Sequence, residues 1–524
     1  MVHNPIIKEK HKAEKYLVFA FILIGVLVRL TALGQYPGGV NQDEAYSAYE
    51  AYCLLQDGMD SWGYKFPVYL TAWGSGMNAL QSYLMMPLIA VFDLKLWVLR
   101  LPQALLASAC LPALYALLKR LFDKKTALIG LAFLAICPWH ISMARWGLES
   151  NLAPGMVLLG FLFFVLGCER PKYYVLSGLF YGLSLYAYAT IWPVLPFMIA
   201  LHSGYAAYTG KLKWNRWLLG GSLLLLLLAL PLLLFLAVNW GIIEEIRTPL
   251  ISVPRILQMR SSDISLDHLY ENVYRMVKTF LLQRDDMVWN ASNEFGLYYH
   301  LSLPFIVVGT VTCLWDAYKS IRARRFSGHV LVLVWLLCGA ALGCVIDGNV
   351  NRLNYLHFPL IICAVLGIRG VCTWISKRIK CFPAVLAFVY TISFILFTGF
   401  YFTDFQQKIA SWYDIGLEPA HAYAQSLTEE EICVSDAISY PKILFYGQIE
   451  PSTFRNTVVW SGEPSAFMSM RAVEGYRFGV DEASLKESVC LMKADEIGDN
   501  LPEGTQVKFF DCIAVTWPAD QVKN

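Results

Sequence analysis

The sequence has few charged residues and almost no imbalance between them. Only 16% of its 524 residues are Asp, Glu, Lys or Arg, against roughly 25% in ordinary soluble domains. The 42 basic and 40 acidic residues leave a formal net charge of +2, so no basic surplus exists to neutralise nucleic-acid phosphates. Disorder requires low hydrophobicity and high net charge, and this chain has neither. The composition excludes a disordered chain and argues against a nucleic-acid-binding protein.

Several sequence motifs are also missing. The 13 cysteines include no CxxC pair, so a zinc or redox motif is not supported. There is no Gly-rich nucleotide-binding loop, no internal repeat and no low-complexity tract. Most cysteines lie in apolar runs, where Cys behaves as a small hydrophobic residue. Three others, Cys433, Cys490 and Cys512, lie in the C-terminal tail, and a disulfide between two of these remains open.

Long apolar runs dominate what is present. Hydrophobic residues make up 57% of the chain. A helix that crosses a bilayer needs about 20 mostly apolar residues, because no backbone group can stay unpaired in hydrocarbon. The pattern predicts a polytopic α-helical membrane protein with about 11 transmembrane helices. The predicted spans are 16–34, 100–118, 126–142, 152–168, 173–189, 193–209, 217–239, 300–318, 328–346, 354–371 and 382–401.

The distribution of Lys and Arg predicts the orientation. Basic clusters occur at the N-terminus and at every second loop, which the positive-inside rule assigns to the cytoplasm. We therefore expect a multi-pass plasma-membrane protein with a cytoplasmic N-terminus and an outer C-terminus. If 77–92 crossed, every later cluster would be placed outside, so this segment is predicted to lie in the outer interface. The clusters are Lys119, Arg120, Lys124 and Lys125; Arg170 and Lys172; Lys211, Lys213 and Arg216; Lys319, Arg322, Arg324 and Arg325; and Arg369, Lys377, Arg378 and Lys380.

Three substantial segments are then extracytoplasmic: two loops, 35–99 and 240–299, and the tail. We expect a transmembrane domain over 1–401 and a separate extracytoplasmic domain over 402–524. The tail contains strand-like runs broken by Gly, Pro and Asp, and about 120 residues suffice for a small α/β domain. The strand-like runs are 431–435, 442–446 and 507–510.

The first outer loop carries an acidic pair, Asp43 and Glu44, directly before AYSAYEAYCLLQDG. The spacing of Tyr and Ala in this run predicts an amphipathic helix on the bilayer surface. Acids are favoured at a helix N-terminus, so capping and function both account for Glu44. Asp43, which follows glycines just beyond a membrane helix, is the stronger candidate for a catalytic group.

Cations and polar side chains are predicted to face the same outer side. Ionisable residues at a membrane edge are costly and are functional candidates by default. His140 and Arg145 lie in the second outer loop, Arg352 and Asn354 follow a later turn, and Lys65 is the only Lys or Arg in 35–76. Interfacial snorkelling or a solvated loop would also explain some of them. Together with an acid and many aromatics, they suit sugar transfer from a polyprenyl phosphate.

The ordered series of these motifs resembles the GT-C membrane glycosyltransferases, specifically the protein O-mannosyltransferase and aminoarabinose-transferase-like group. The resemblance covers roughly 15–370. It rests on Asp43-Glu44 within NQDEAYSAYEAYCLLQDG, on KFPVYL and LQSYLMMPLIAVFDL, and on Arg100-Leu-Pro with LLKRLFDKK. The tail is not covered, and nothing about it is implied.

The resemblance implies an inverting glycosyltransferase with Asp43 as catalytic base and Glu44 at the acceptor. The aromatic residues Tyr69 and Trp73 of the same loop are assigned to the acceptor as well. Some relatives hold a divalent metal between two loops, but the second outer loop here has no DxD motif. We therefore expect no required cofactor and assign no metal ligand, and the use of a divalent cation stays open. The predicted donor-phosphate ligands are Arg145, Lys65, Arg352, His140 and Asn354.

The predicted function is transfer of a sugar from a polyprenyl-phosphate donor to an acceptor hydroxyl at the outer membrane face. The acceptor is open among a protein, a cell-wall polymer and a lipid-linked glycan, so protein glycosylation is one of the alternatives. The alternative hypothesis is a transporter or flippase of lipid-linked sugars. Transporters concentrate ionisable residues at the bilayer midplane, often in two related halves, whereas the helix interiors here are largely uncharged and no repeat is found.

Overall fold

The computed structural model describes residues 5–259, 266–498 and 501–519, with side chains described from residue 12 onward. Parts of the predicted segments 1–401, 240–299 and 402–524 therefore lie outside the described residues. The helices are α1 (Pro5–Leu30), α2 (Gln42–Asp57), α3 (Leu80–Phe92), α4 (Leu96–Leu121), α5 (Lys124–Ile136), α6 (Pro138–Ala144), α7 (Leu152–Glu169), α8 (Tyr173–Leu185), α9 (Leu195–Tyr208), α10 (Arg216–Asn239), α11 (Leu269–Leu281), α12 (Leu303–Arg322), α13 (Gly328–Val345), α14 (His357–Ile375), α15 (Phe382–Phe402), α16 (Asp404–Tyr413), α17 (Leu417–Leu427), α18 (Tyr440–Gly447), α19 (Pro451–Thr457) and α20 (Glu482–Glu487).

A helix is found at each of the eleven predicted spans. Within the described residues, seven helical segments are long and apolar enough to cross a membrane, and the bent pair α5–α6 would make eight. Helices α8 and α9 have 13 and 14 residues, or about 20 Å, against a hydrocarbon core of about 30 Å. The polytopic helical class is confirmed, and the count of eleven crossings stays a prediction.

Glycine allows two of the long helices to pack closely. A Cβ at Gly309 in α12 would collide with the backbone carbonyl of Cys363 in α14, and a Cβ at Gly367 would collide with Phe305. Small residues are the common means of close helix approach in membranes, where apolar burial gives no driving force between helices. The pair α12–α14 is therefore in backbone contact along its length.

The C-terminal part contains a seven-stranded mixed sheet with the order β10-β11-β9-β5-β8-β7-β6. The central strand β5 runs parallel to both β8 and β9, and the other pairs are antiparallel. Two short hairpins, β1–β2 and β3–β4, lie in the outer loops. The strands are β1 (Tyr69–Leu70), β2 (Met77–Asn78), β3 (Ile246–Arg247), β4 (Ser252–Val253), β5 (Ile432–Val434), β6 (Val459–Ser461), β7 (Ser469–Val473), β8 (Tyr476–Phe478), β9 (Cys490–Lys493), β10 (Thr505–Phe510) and β11 (Ile513–Pro518).

The predicted small α/β domain is thus present, but one of its three predicted strands is wrong. The runs 431–435 and 507–510 contain β5 and β10, whereas 442–446 lies in helix α18. Pro441 occupies the first turn of α18, where its missing N–H costs nothing. A short apolar run cannot by itself distinguish a strand from a buried helix.

Helix α2 does not lie on the bilayer surface as predicted. The helix itself is confirmed, but ten of its residues are buried inside the protein. Tyr46 and Leu54 share one hydrophobic cluster with Ile443 and Leu444 of α18, while Ala45 and Ala48 pack with residues of α3 and α4. The sequence pattern identified an apolar face, but protein rather than lipid covers it. The boundary at residue 401 therefore separates two parts that share a core, and it stays a prediction.

Candidate active site

Asp43 lies in the first turn of α2 and is half-buried. The cap bonds of this helix are made by its neighbours. The Asn41 side chain accepts a hydrogen bond from the Asp43 backbone N–H at 3.0 Å, and the Glu44 side chain accepts one from the Asn41 N–H at 3.1 Å. This reciprocal pair is a capping box. Asn41 and Glu44 therefore make the capping box, and the Asp43 side chain is not part of it.

Glu44 is fully buried and forms an ion pair with Arg100. The Arg100 Nε and Nη2 donate to the two Glu44 carboxylate oxygens at 2.9 and 3.0 Å. The Gly147 backbone N–H donates to the same carboxylate at 2.7 Å. The predicted acceptor contact of Glu44 is therefore wrong in this structure, because protein groups occupy its carboxylate and the side chain has no exposed surface.

Arg145 is also fully buried, and it is not available to a donor phosphate. Its guanidinium makes five hydrogen bonds to four backbone carbonyls around the end of α1, at 2.7 to 3.2 Å. The carbonyls belong to Val28, Arg29, Ala32 and Tyr36, and Tyr36 accepts twice. A guanidinium has five N–H donors, so Arg145 is saturated and the predicted phosphate contact is wrong.

His140 has no exposed surface either. Its Nδ1 accepts hydrogen bonds from Arg29, at 3.2 Å from Nε and 2.7 Å from Nη2. Arg29 also donates to the backbone carbonyls of Gly25, Leu134 and Ala135. His140 therefore helps to bury an arginine inside the helical region, and the structure does not support its predicted contact with a phosphate.

Lys65 is exposed, as a phosphate ligand requires. Its neighbour Tyr64 donates a hydrogen bond to Glu245 at 2.9 Å, and the Arg247 guanidinium lies 4.2 Å from the centre of the Tyr64 ring. Lys65 forms a β-bridge with Met59, just beyond the C-terminal end of α2. Asp43 is at the opposite end of this helix, about 24 Å long. If Lys65 and Asp43 both take part, the sugar donor must extend along α2 from one residue to the other.

The two predicted acceptor aromatics lie in different surroundings. Tyr69 is 8% exposed and packs on Phe235 with ring centres 4.4 Å apart. Trp73 is half-buried and contacts Tyr46 of α2 and Tyr440 of α18, with ring centres 5.1 and 5.2 Å apart. Trp73 therefore lies where the first outer loop meets the C-terminal part, while Tyr69 belongs to the helical core.

Arg352 and Asn354 are close in sequence but differ in burial. Arg352 is half-buried and donates to the Asp347 carbonyl at 3.2 Å. Asn354 is 2% exposed, and its amide donates to the Ser150 carbonyl at 2.5 Å. The buried Asn354 thus fastens the second outer loop to α14, which removes its predicted phosphate contact. Arg352 and Lys65 remain as candidate phosphate ligands.

An acidic residue of the second outer loop, Glu149, also contacts the first outer loop. The Glu149 carboxylate accepts a hydrogen bond from the Asn78 backbone N–H at the end of hairpin β1–β2. In the part of the chain that the structure describes, no group of three or more His, Cys, Asp or Glu side chains could hold a metal ion. The second outer loop thus contacts hairpin β1–β2 through Glu149 and the first turn of α2, where Asp43 lies, through Gly147.

Comparisons with known proteins identify a family model that matches part of the chain and solved structures with a similar fold. Residues 79–235 match the family model of dolichyl-phosphate-mannose-protein mannosyltransferase. The fold is similar to ArnT from Cupriavidus metallidurans in the apo state, at 15% identity and a TM-score of 0.55, over 98% of this chain and 100% of that chain. The resemblance to the GT-C membrane glycosyltransferases is confirmed. The matched family model and the fold both agree with the predicted enzyme class, a glycosyltransferase that uses a lipid-phosphate-linked sugar.

Two further comparisons define how far this similarity extends. The ArnT structure bound to undecaprenyl phosphate matches at 14% identity and a TM-score of 0.54, over 97% of this chain and 99% of that one. The Archaeoglobus fulgidus oligosaccharyltransferase in complex with Zn and sulfate matches at 14% identity and a TM-score of 0.50, over 83% and 61%. No curated protein gives a significant match. The family model covers 79–235 alone, and beyond these residues the similarity is one of fold.

Arg29 and Arg100 were not identified as site residues from the sequence. Both lie at the outer ends of apolar helices, and the Arg100-Leu-Pro motif marked the position of one of them without its role. Arg100 donates to the carbonyls of Leu33, Pro37 and Gly39 in addition to Glu44. An arginine flanked by apolar residues at a helix end is a signal for such a buried contact, but its partners lie more than fifty residues away.

A buried acidic pair, Glu50 and Asp60, predicts a pH effect on stability. Burial raises the pKa of Glu50 to about 7, against an ordinary value of 4.5, although two hydrogen bonds from Ser61 oppose the shift. Burial and the Glu50 charge also raise the pKa of Asp60. Arg455, which donates to the Asp60 carbonyl, lowers both values.

Between pH 4.5 and about 7 the folded protein therefore holds a proton on Glu50 that the unfolded chain releases. The unfolding free energy falls as pH rises through this window, because the folded state binds more protons. We expect a lower Tm at pH 8 than at pH 5, and a smaller difference in Glu50→Gln. Thermal unfolding in detergent measures both, with the exposed Glu430→Gln as control. An equal pH dependence in Glu50→Gln and wild type would contradict this assignment.

Proposed function

We propose that this protein is an inverting glycosyltransferase that moves a sugar from a polyprenyl-phosphate donor to an acceptor hydroxyl at the outer membrane face. The observation that carries the proposal is the placement of Asp43. It is a half-buried acid in the first turn of α2, where neighbouring residues make the cap. The structural relative ArnT has been crystallised with undecaprenyl phosphate, which supports a polyprenyl phosphate as the donor.

The proposed reaction is a single displacement at the anomeric carbon. The acceptor oxygen attacks this carbon, and the bond to the phosphate oxygen breaks on the opposite face. The electron pair of that bond leaves with the polyprenyl phosphate, and the acceptor proton passes to Asp43. The N-terminal end of α2 favours the ionised form of Asp43, which is the form that accepts a proton.

We infer that the reaction requires no cofactor, since polyprenyl phosphate is already a good leaving group. Cations near the phosphate would stabilise the charge that it gains in the transition state. Arg352 is the candidate for this role and Lys65 for a binding contact with the phosphate, because Arg145, His140 and Asn354 are buried with protein partners. The acceptor remains open among a protein, a cell-wall polymer and a lipid-linked glycan.

The proposed orientation places the basic loops in the cytoplasm and α2, α3 and the C-terminal sheet outside. This follows from the positive-inside rule, and the shared core of α2 and α18 requires both to be on one side of the membrane. Nucleotide sugars are not available outside, which agrees with a lipid-linked donor. Protease digestion of intact cells that carry an epitope after residue 519 tests the orientation, since a protected epitope would contradict it.

A transfer assay tests the function. Purified protein in nanodiscs receives a panel of radiolabelled polyprenyl-phosphate sugars, with a membrane extract as acceptor and EDTA in a parallel reaction. We expect label to move to an acceptor without loss in EDTA. Hydrolysis of the donor alone would support the chemistry and leave the acceptor to be found. No turnover, together with protein-dependent movement of lipid-linked sugar across a bilayer, would favour the transporter.

Lys65→Gln is expected to raise KM for the donor about tenfold while kcat falls less. An exposed lysine that contacts one phosphate acts mainly in binding, and hydrogen bonds to charged groups contribute about 1.5–3 kcal/mol. Initial rates across a donor series measure KM and kcat. Lys95→Gln, an exposed lysine paired with Asp93 in the same outer segment, serves as the control. An unchanged donor KM in Lys65→Gln would remove Lys65 from the site.

A further inference from the structure

The loop between α1 and α2, residues 31–41, leads into the helical turn that contains Asp43. Two other parts of the protein contact this loop. On one side Arg100 donates to three of its carbonyls, those of Leu33, Pro37 and Gly39. On the other side lies the connecting segment, residues 403–416, which joins the last predicted span to the C-terminal sheet. The position of the Asp43 backbone therefore depends on this connecting segment.

The backbone of the loop contacts both a side chain and the backbone of the connecting segment. The Gly38 N–H donates to the Gln406 side-chain oxygen at 2.8 Å, and the Val40 N–H donates to the Tyr413 carbonyl at 2.8 Å. Gly39 has φ +66, and a Cβ at this position would collide with the Tyr413 carbonyl. Two hydrogen bonds and this close approach to the Tyr413 backbone leave the loop little freedom.

The Gln406 side chain forms hydrogen bonds with both the loop and the end of α15. Its oxygen accepts from Gly38, and its amide donates to the Tyr401 carbonyl at 2.8 Å, at the end of α15. The side chain is 9% exposed, so water does not replace these bonds at low cost. An amide that both accepts and donates here fixes the loop relative to the last predicted span.

The connecting segment is in turn fixed by the C-terminal part. Asp414 is fully buried and pairs with two lysines, Lys442 of α18 and Lys493 of β9. Both ammonium groups also donate to backbone carbonyls at the end of α16, Lys442 to Trp412 at 2.8 Å and Lys493 to Ser411 at 2.5 Å. Buried charges are tolerated only when they are paired, so this arrangement locks the end of α16 onto the sheet.

We propose that Gln406, Asp414, Lys442 and Lys493 are positioning residues through which the C-terminal domain fixes the loop that carries Asp43. This inference rests on the proposed role of Asp43 as base. The carboxylate must meet the acceptor hydroxyl within hydrogen-bond reach, and a displacement of about 1 Å can cost about 10²-fold in rate. The C-terminal domain thereby contributes to the chemical step.

The test compares Gln406→Met and Lys442→Met with wild type and Asp43→Asn in the transfer assay. We expect kcat to fall at least about tenfold in both, while KM for the donor stays within about twofold, because the phosphate contacts are not altered. Lys486→Met, which removes an exposed lysine of α20 in the same domain, should retain wild-type kcat. Size-exclusion profiles and Tm identify the folded fraction of each variant.

The possible results separate this inference from the function on which it rests. Asp43→Asn with wild-type activity would remove the base and this inference with it. Inactive Asp43→Asn together with wild-type kcat in both test variants would overturn the positioning role alone. A raised donor KM at unchanged kcat would also overturn it, since that is a binding effect. If Gln406→Met does not fold, Lys442→Met decides, because Lys493 still pairs with Asp414 in that variant.

Discussion

Asp43→Asn is expected to lower kcat for sugar transfer by about 10²–10⁴-fold, the range that general acid–base catalysis contributes. The asparagine has nearly the same shape but cannot accept the proton of the acceptor hydroxyl. Asn41 and Glu44 make the capping box, so α2 should form as before. Single-turnover transfer from a labelled donor measures the chemical step, and donor binding should remain within about twofold.

A matched control for this substitution lies at the other end of the same helix. Asp57 accepts from the Met59 N–H and pairs with Arg455, so Asp57→Asn changes a carboxylate at the end of α2 opposite to Asp43. We expect it to retain transfer within about threefold, since such surface pairs contribute little. Equal activity of Asp43→Asn and Asp57→Asn would show that the base lies elsewhere, and Glu149 would then be the next acid to test.

The positions of the helices could be predicted because the required signal is local. Each apolar run of about 20 residues predicts a helix without knowledge of its neighbours, and a helix is found at every predicted span. What covers a helix is a long-range property. The Tyr and Ala face of α2 was visible in the sequence, but residues 440–447, about 400 positions later, cover it.

The site was only partly predictable for the same reason. Asp43 and Lys65 are short-range features, an acid at a helix start and a lone cation in a loop. Arg145 resembled a phosphate ligand because its sequence neighbours are polar and interfacial. Its five hydrogen bonds go to carbonyls of α1 and the following loop, more than a hundred residues away. Such bonds cannot be predicted from the residues next to Arg145 in the sequence.

Three buried arginines form a common structural theme around the end of α1. Arg29, Arg100 and Arg145 each donate to at least three backbone carbonyls. A helix end and an irregular loop expose carbonyls that require donors, and a guanidinium satisfies several at once. The loop that leads to Asp43 is therefore built on buried cations, and one of them, Arg145, is the residue that the sequence assigned to the donor.

The largest effect on stability is expected from the buried pair of Glu44 and Arg100. Arg100→Met removes the cation and leaves the Glu44 carboxylate without charge compensation in a fully buried position. Breaking such a pair by removing one partner costs about 3–5 kcal/mol. Three loop carbonyls also lose their donor. We expect a strongly lowered Tm and reduced donor binding, measured by thermal unfolding in detergent and by donor titration.

A double-mutant cycle separates the ion pair from the remaining contacts. Glu44→Gln alone should also destabilise the protein, since it leaves the Arg100 cation buried. The double variant should lose less than the sum of the two single variants, because neither charge then remains unpaired. Arg120→Met provides the control, since Arg120 pairs with Glu169 at the surface, where such pairs contribute about 0–1 kcal/mol. Strict additivity of Glu44→Gln and Arg100→Met would contradict the pairing. An additional loss of kcat in Glu44→Gln at temperatures where it remains folded would follow from the structure, since Glu44 supports the turn in which Asp43 lies.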